Sequence, residues 1–154
     1  MQRKSLYQIS AVGFGRRFQS RAARNREVAQ ANTHIHDFFQ LWYIRSGKMR
    51  HFVDGKLHIQ SAGELIITPP LLWHSVNSKG YGGEFDAFTC DISQSFMLEI
   101  ARMTGEEELF RYVLLSPAPI RDGALSPSLR FYGDITERVE QTLERLCAMQ
   151  RTEM

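Results

Sequence analysis

The sequence has few cysteines, no long apolar run and almost no net charge. Two cysteines in 154 residues are too few for the disulfide framework of a small secreted domain. No apolar stretch approaches the roughly 20 residues of a membrane-spanning helix, and the N-terminus lacks the apolar stretch of a signal peptide. A net charge of +2 is too small to argue for nucleic-acid binding by the whole surface. We therefore expect a cytoplasmic globular protein with no membrane partner.

The chain has the length of one domain and a composition that suits a buried core. Hydrophobic residues make up 43% of it and charged residues 23%, which is a globular balance. The sequence pattern changes twice along the chain. We expect an N-terminal arm (1–30), a β-barrel core (31–92) and a helical and extended segment (93–154).

The predicted arm is basic and poorly patterned. Its stretch 16–30 carries few large apolar side chains and five arginines: Arg16, Arg17, Arg21, Arg24 and Arg26. It is either a solvated arm or edge strand that covers the domain, or a basic arm that binds phosphate. Phosphate-binding segments usually interleave aromatic residues or present a structured helix. Since the arm does neither, we favour the covering role.

Residues 38–92 consist of short β-prone runs separated by turn signals. The runs KMRHFV and KLHIQ flank Asp54-Gly55, and this pattern predicts a hairpin, because glycine accepts the positive φ that a two-residue turn requires. The run ELIITPP ends at a double proline, whose missing amide donors terminate a strand. Such a series of strands is typical of an antiparallel sandwich or barrel.

The clearest helix in the sequence spans residues 134–150. Its apolar residues recur at helical spacing and form one narrow stripe: Ile135, Val139, Leu143, Leu146 and Met149. This stripe must be buried. It either docks on the chain's own barrel or pairs with the same helix of a second chain.

Three of the five histidines lie in a pattern that suits a binding site. Side chains alternate along a strand, so His34 and His36 share one face, and Phe38, Gln40 and Trp42 follow with the same parity. This face is polar at one end and apolar at the other, like the inside of a small barrel with a ligand at its mouth. The opposite face, at positions 39, 41 and 43, is apolar too.

His74, just after the double proline, is the third candidate histidine. Three neutral imidazoles would bind Zn²⁺ or a similar divalent ion and leave one coordination position open. The alternative is that these histidines only line a pocket or support the fold. His51 and His58 are expected to be ordinary strand residues, with His58 exposed.

Aromatic residues near these histidines favour a concave site for a small molecule. Phe38, Trp42, Tyr43 and Trp73 offer flat faces that stack on sugars and other ring-shaped ligands, while Gln40 and the histidines supply hydrogen bonds. The alternative is that these aromatic residues are plain core.

Two spacings in this stretch resemble the motifs of the cupin family. The first reads His34-x-His36-x3-Gln40-x6-Gly47, with Gln40 where cupins carry glutamate and Val28 where they carry the leading glycine. In metal-dependent cupins that glutamate completes the ligand set. A neutral amide at this position lacks its charge and weakens the implied metal site.

The second cupin motif is present as Gly63-x5-Pro69-x-Leu71-x2-His74, with Leu71 where the family has glycine. Both motifs occur in the family's order within one β-rich stretch. From His34 onward, the chain most resembles the N-terminal sensing domain of AraC-type transcription regulators.

That resemblance implies a mainly β fold, a cupin-like double-stranded β-helix (jelly-roll) barrel followed by two helices. In the family, the barrel binds a small effector, an N-terminal arm can close over it and the later helices form the dimer. DNA is bound by two helix-turn-helix units further along the chain, which this sequence lacks.

We therefore expect a non-catalytic module that binds a small effector, such as a sugar, forms a homodimer and reaches DNA only through an absent domain. The expected ligand-binding residues are His34, His36, Phe38, Gln40, Trp42, Trp73 and His74. The expected metal ligands are His34, His36 and His74. The expected dimer seam is Ile135, Val139, Leu143 and Leu146. Two alternatives stay open: a metal-dependent cupin enzyme of the isomerase or dioxygenase type, and a stand-alone small-molecule binding protein.

Overall fold

The computed structural model describes residues 10–11, 19–29, 32–53, 55–108, 120–121, 124–125 and 128–152. Within these residues, the helices with described bounds are α1 (Gln94–Thr104) and α2 (Asp134–Thr152), which both follow the main run of strands. The strands are β1 (Ser10–Ala11), β2 (Ser20–Asn25), β3 (His34–Ile35), β4 (Phe39–Ser46), β5 (Lys48–Val53), β6 (Lys56–Ser61), β7 (Glu64–Thr68), β8 (His74–Asn77), β9 (Asp86–Ile92), β10 (Ile120–Arg121), β11 (Ala124–Leu125) and β12 (Ser128–Arg130).

Ten of these strands form two five-stranded sheets. The first sheet has the order β1-β3-β8-β5-β6 and the second has the order β12-β7-β4-β9-β2. Apart from the parallel β1–β3 pair, the strands of both sheets run antiparallel. This is the mainly β, cupin-like barrel followed by two helices that the sequence predicts, and that prediction is confirmed.

Strand β4 is apolar on both faces because both faces are covered. Trp42 and Ile44 point into the barrel, where they pack with Met49 of the facing sheet. Tyr43 points outward and packs against Phe88 of β9 and residues of α2. The second sheet is therefore buried between the barrel interior and a helix.

Helix α2 docks on its own barrel through the middle of its apolar stripe. Val139 and Leu143 are partly buried against the cluster of Tyr43, Phe88 and Cys147. Ile135 and Leu146, the other two predicted seam residues, are 57% and 40% exposed. The four residues do not form one open seam, because two of them already cover the sheet.

The sheets extend beyond the predicted barrel core of residues 31–92. Strand β2, from the predicted arm, pairs with β9 along its whole length, and β12 pairs with β7. The arginines of β2 contact acids of the barrel: Arg24 pairs with Asp86 and Arg21 with Asp91, each at 2.7 Å. This part of the arm is thus an edge strand, and two of its charges are neutralised within the chain. Arg16 and Arg17 lie outside the described residues.

Local backbone and capping interactions shape the predicted β5–β6 hairpin and helix α1. Strands β5 and β6 form the predicted hairpin, with Gly55 at φ +78°, while Asp54 lies outside the described residues. Ser93 caps α1 by accepting a hydrogen bond from the Phe96 amide, and Gly105 ends the helix at φ +71°. Within the described ranges, no helix has the length and apolar character needed to cross a membrane.

Candidate functional site

The three candidate histidines meet inside the barrel. His34 of β3 pairs in register with His74 of β8, and His36 follows β3. All three are buried. Nε2 of His74 lies 3.1 Å from Nε2 of His34 and 3.2 Å from Nε2 of His36. Ligand atoms of the three residues all lie within 4.8 Å of one another, an arrangement that would hold a metal ion.

Backbone carbonyl groups fix the proton on two of these rings. Nδ1 of His36 lies 2.9 Å from the carbonyl oxygen of Phe38, and Nδ1 of His34 lies 3.3 Å from that of Asn32. A carbonyl oxygen only accepts, so each Nδ1 carries the hydrogen and each Nε2 keeps its lone pair. Metal-ligating histidines have this arrangement, with the second nitrogen donating to a backbone or carboxylate oxygen.

The surroundings of His36 and His74 favour their neutral forms. Burial lowers the pKa of His36, although the hydrogen bond to the Phe38 carbonyl acts in the opposite direction. Burial also holds the pKa of His74 well below its ordinary value, and the neighbouring histidines lower it further. Neutral imidazoles can bind a metal or hydrogen-bond with a polar ligand.

Gln40 borders the cluster, but its amide is already engaged on both sides. Its Oε1 accepts a hydrogen bond from Nε1 of Trp42, and its Nε2 donates to Oδ1 of Asp91, each at 2.8 Å. The second carboxylate oxygen of Asp91 accepts from Nε of Arg21 at 2.7 Å. Gln40 thus belongs to a chain of side-chain hydrogen bonds that runs from Trp42 to Arg21. Its side-chain oxygen faces Trp42.

Asp91 and Arg21 are residues of this region that the sequence reasoning missed. Asp91 lies directly opposite Gln40 in the β4–β9 pairing, and Arg21 lies directly opposite Asp91 in the β2–β9 pairing. Knowledge of the cross-strand register would have identified Asp91 and Arg21. One sequence does not reveal it, because the two pairings join residues 51 and 70 positions apart.

The predicted aromatic residues divide between the cluster and the core. The Phe38 ring stacks on His36 with centroids 4.0 Å apart and planes within 6°. Trp42 lies in the apolar core and reaches the polar residues only through its indole nitrogen. Trp73, directly before His74, is half-buried. Tyr43 lies on the outer face of the sheet beneath α2, which removes it from the site.

His58 differs from its expected exposure, whereas His51 is a residue of β5, as expected, and lies next to the cluster. His51 is completely buried, and its ring centroid lies 5.7 Å from that of His74. His58, expected to be exposed, is half-buried with Nε2 2.7 Å from Oε1 of Glu64. Burial acts to raise the pKa of the Glu64 carboxyl group, but hydrogen bonds, led by that of His58, hold it below the ordinary value. The prediction for His58 failed because a buried carboxylate on the next strand requires a partner.

The sequence profile of the AraC-like ligand binding domain matches residues 21–149, most of the chain. The chain belongs to the family of AraC-like ligand-binding domains. No curated protein sequence matches it at a significant level.

The AraC-like domain is similar in fold to solved structures of low sequence identity. A structure of ToxT from Vibrio cholerae is 10% identical with a TM-score of 0.52, and the match covers 82% of this chain and 48% of ToxT. ToxT bound to (E)-4-(8-methylnaphthalen-1-yl)but-3-enoic acid is 11% identical with a TM-score of 0.51, over 82% and 47% of the two chains. An RmlC-like cupin from Shewanella frigidimarina is 18% identical with a TM-score of 0.40, over 51% and 71%. The chain spans about half the length of the ToxT structures.

Two further features of this AraC-like domain lie beside the histidines. Leu71 adopts a left-handed conformation with φ +62°, at the position where the cupin motif has glycine. Its amide donates to the His36 carbonyl oxygen at 2.8 Å, and its side chain is 61% exposed. In addition, the N-terminal strand β1 pairs with β3, with Ser10 opposite His34. Two further segments of the chain, the loop at Leu71 and strand β1, therefore lie next to the histidine cluster.

Proposed function

We propose that this chain is the effector-binding module of an AraC-type transcription regulator, with the effector bound inside the barrel. One observation carries the proposal: in a domain of a ligand-binding family, three buried imidazoles bring their Nε2 atoms together. Phe38, Gln40, Trp42 and Trp73 would complete the binding surface around His34, His36 and His74. Flat rings beside a few polar groups are the usual lining of such sites.

The chemistry of the effector follows from this lining. Neutral imidazoles and the stacked Phe38 ring favour a small molecule that combines hydrogen-bonding groups with a flat or apolar part, such as a sugar. The ToxT structure that holds a naphthalenyl-butenoic acid supports a small-molecule effector for this chain as well.

A thermal-shift screen tests effector binding. Monosaccharides and aromatic carboxylic acids are added to the wild-type protein, and a binder should raise Tm because it stabilises only the folded state. The same compound should give no shift with His74→Phe. Ile59→Thr, on the exposed outer face of β6, is the matched control and should retain the shift. A compound that shifts all three proteins equally binds elsewhere and would contradict this site.

A divalent metal ion is the second candidate occupant of the histidine cluster. Nε2 separations of 3.1 and 3.2 Å suit two nitrogen ligands of one ion, each bonded at about 2.0–2.1 Å. The lone pairs on His34 and His36 support the same assignment. His34, His36 and His74 would hold the ion, which would supply a Lewis acid with an open coordination position.

Metal analysis of the purified protein tests this second candidate. We expect about one Zn²⁺ or similar ion per chain, lost in His74→Ala. A metal content well below one per chain after dialysis against Zn²⁺ would refute it. Stoichiometric metal together with turnover of a small substrate would instead favour the alternative of a metal-dependent cupin enzyme.

Homodimerisation and an attached DNA-binding half remain parts of the proposal. Ile135 and Leu146 are exposed on α2 and are available to a second chain, whereas Val139 and Leu143 are engaged within their own. Ile135→Asp should therefore break a dimer and leave the fold intact, as measured by sedimentation and circular dichroism. Leu143→Asp should also destabilise the fold. A wild-type protein that stays monomeric at high micromolar concentration would refute the dimer.

A further inference from the structure

His36 is the one member of the histidine cluster that lies outside a strand. His34 belongs to β3 and His74 to β8, whereas His36 lies in the short connection between β3 and β4, which leads from the first sheet to the second. A binding side chain keeps its geometry only when packing and hydrogen bonds from its neighbours fix its rotamer. The direction of the His36 Nε2 atom therefore depends on the side chains around this connection.

Phe38, in the same connection, makes two contacts with the His36 ring. Its carbonyl oxygen accepts a hydrogen bond from Nδ1 of His36 at 2.9 Å, and its own ring stacks on the imidazole with centroids 4.0 Å apart. Both side chains are buried. The hydrogen bond and the stacking together hold the imidazole with its Nε2 atom 3.2 Å from Nε2 of His74. A displaced Phe38 ring would thus let this nitrogen turn away from the cluster.

Arg21 covers the Phe38 ring. Its guanidinium carbon lies 5.2 Å from the ring centroid, inside the limit of about 6 Å for a cation–π interaction. Arg21 belongs to β2, the edge strand of the second sheet, and its side chain is 34% exposed. A long side chain from the edge of one sheet therefore packs on a buried ring beside the histidines.

Both the side chain and the backbone of Arg21 are held in place. Its Nε donates a hydrogen bond to Oδ2 of Asp91 at 2.7 Å. The side chain of Gln150, in α2, hydrogen-bonds with the backbone on either side of Arg21. Its Nε2 donates to the Ser20 carbonyl oxygen at 3.0 Å, and its Oε1 accepts from the Ala22 amide. These contacts fix the guanidinium group over the Phe38 ring.

We propose that Arg21 is a positioning residue of the histidine site, which holds the Phe38 ring against His36 and so fixes the direction of the His36 Nε2 atom. The value of this geometry for a ligand or metal ion rests on the proposed function of the cluster. The packing of Arg21, Phe38 and His36 does not depend on that function, so it can be tested separately.

Ring-proton NMR signals of the metal-free protein test the packing. The ring current of Phe38 shields the protons of a stacked imidazole, so the His36 ring signals report how closely the two rings pack. Arg21→Met keeps a long side chain but removes the cation, and it should move these signals towards those of an unstacked histidine. In wild type, nuclear Overhauser effects should connect the Arg21 side chain to the Phe38 ring. Their absence would overturn the inference, whether or not the variant folds.

Arg24→Met is the matched control. Arg24 lies on the same strand, pairs with Asp86 at 2.7 Å, lies 5.5 Å from the centroid of the Phe88 ring and is 32% exposed in its side chain. Phe88 packs in the outer cluster beneath α2, so this variant loses the same kinds of contact on the other face of the sheet. The His36 signals should stay at their wild-type positions. Equal movement in both variants, or no movement in Arg21→Met, would overturn the inference.

Zn²⁺ affinity, measured by titration calorimetry, tests the consequence for binding. Loss of a residue that orients a metal-ligating histidine typically weakens metal affinity 10–100-fold, and we expect about tenfold for Arg21→Met because Arg21 acts through Phe38. Removal of a positive charge would by itself strengthen the binding of a cation. A weaker affinity therefore distinguishes a positioning role from an effect of charge.

The outcomes separate this inference from the metal proposal. Unchanged or tighter Zn²⁺ binding by Arg21→Met, or an equal loss in Arg24→Met, would overturn the positioning role. A wild-type protein that binds no Zn²⁺ would refute the metal proposal, and the His36 ring signals would then decide the inference alone.

Discussion

The two ends of the barrel interior differ in how they relate to stability. One end is a close-packed apolar cluster built around Trp42, Ile44, Met49 and Val76. The other holds the buried polar side chains of the histidine cluster, some of whose atoms lack partners. Burial of apolar groups stabilises the fold, whereas burial of polar atoms without partners destabilises it. The apolar end therefore supports a polar end that stability alone would not select.

The largest change in the free energy of unfolding is expected from a cavity at the apolar end. Ile44 is completely buried in the apolar cluster, so Ile44→Ala removes buried apolar surface and leaves a void. We expect a loss of about 3 kcal/mol in the free energy of unfolding, measured by urea denaturation. The proposed Zn²⁺ binding by the folded fraction should be retained. A loss below about 1 kcal/mol would mean that the apolar cluster does not provide the stability expected of a close-packed core.

At the polar end, pH is expected to have the next largest effect. The folded state holds His51 neutral with a pKa of about 4, while the unfolded chain takes up a proton near pH 6.5. Stability should therefore fall as the pH drops from 6.5 towards 4, by about 1.4 kcal/mol per pH unit. The loss from His51 alone should reach about 2 kcal/mol at pH 5.

Urea melts at pH 7.5, 6.0 and 5.0 measure this loss. His36 and His74 act in the same direction, because their pKa values are lowered as well. The paired carboxylates Asp86 and Glu64, also with lowered pKa values, contribute only at lower pH. His51→Leu should flatten the profile between pH 7.5 and 5. An unchanged slope would show that His51 is not buried in its neutral form.

The smallest effect is expected at the rim of the polar end. Leu71 occupies a left-handed conformation that costs a leucine about 1–2 kcal/mol relative to glycine. Leu71→Gly should thus raise the free energy of unfolding by up to about 1 kcal/mol, because glycine's greater unfolded freedom offsets part of the relief. Leu71→Ala is the control and keeps the strain. Equal stability of the two variants would contradict the strain.

Much of the fold could be predicted from local signals in the sequence. Asp54-Gly55 marked the β5–β6 hairpin, and the double proline marked the end of β7. Each of these signals acts through its own backbone or its immediate neighbours. Such signals can be read from the sequence because they act within a few residues of the chain.

The candidate site was only partly predictable. Motif spacing and strand parity identified His34, His36 and His74, but His51 was assigned an ordinary strand role and His58 an exposed one. Their actual surroundings depend on which strands lie opposite each other. Asp91 was missed for the same reason, because its contact with Gln40 is created by the β4–β9 register.

The sequence by itself determined the class of fold, the position of its turns and the three histidines that could meet. Alternation along strands and the φ preferences of glycine and proline act over a few residues, so they can be read from one chain. Tertiary structure decided which face of each strand became the interior, that α2 docks on its own sheet, and that the His51 ring lies beside His74. These outcomes depend on strand register and on packing between segments far apart in the chain, which local sequence does not encode.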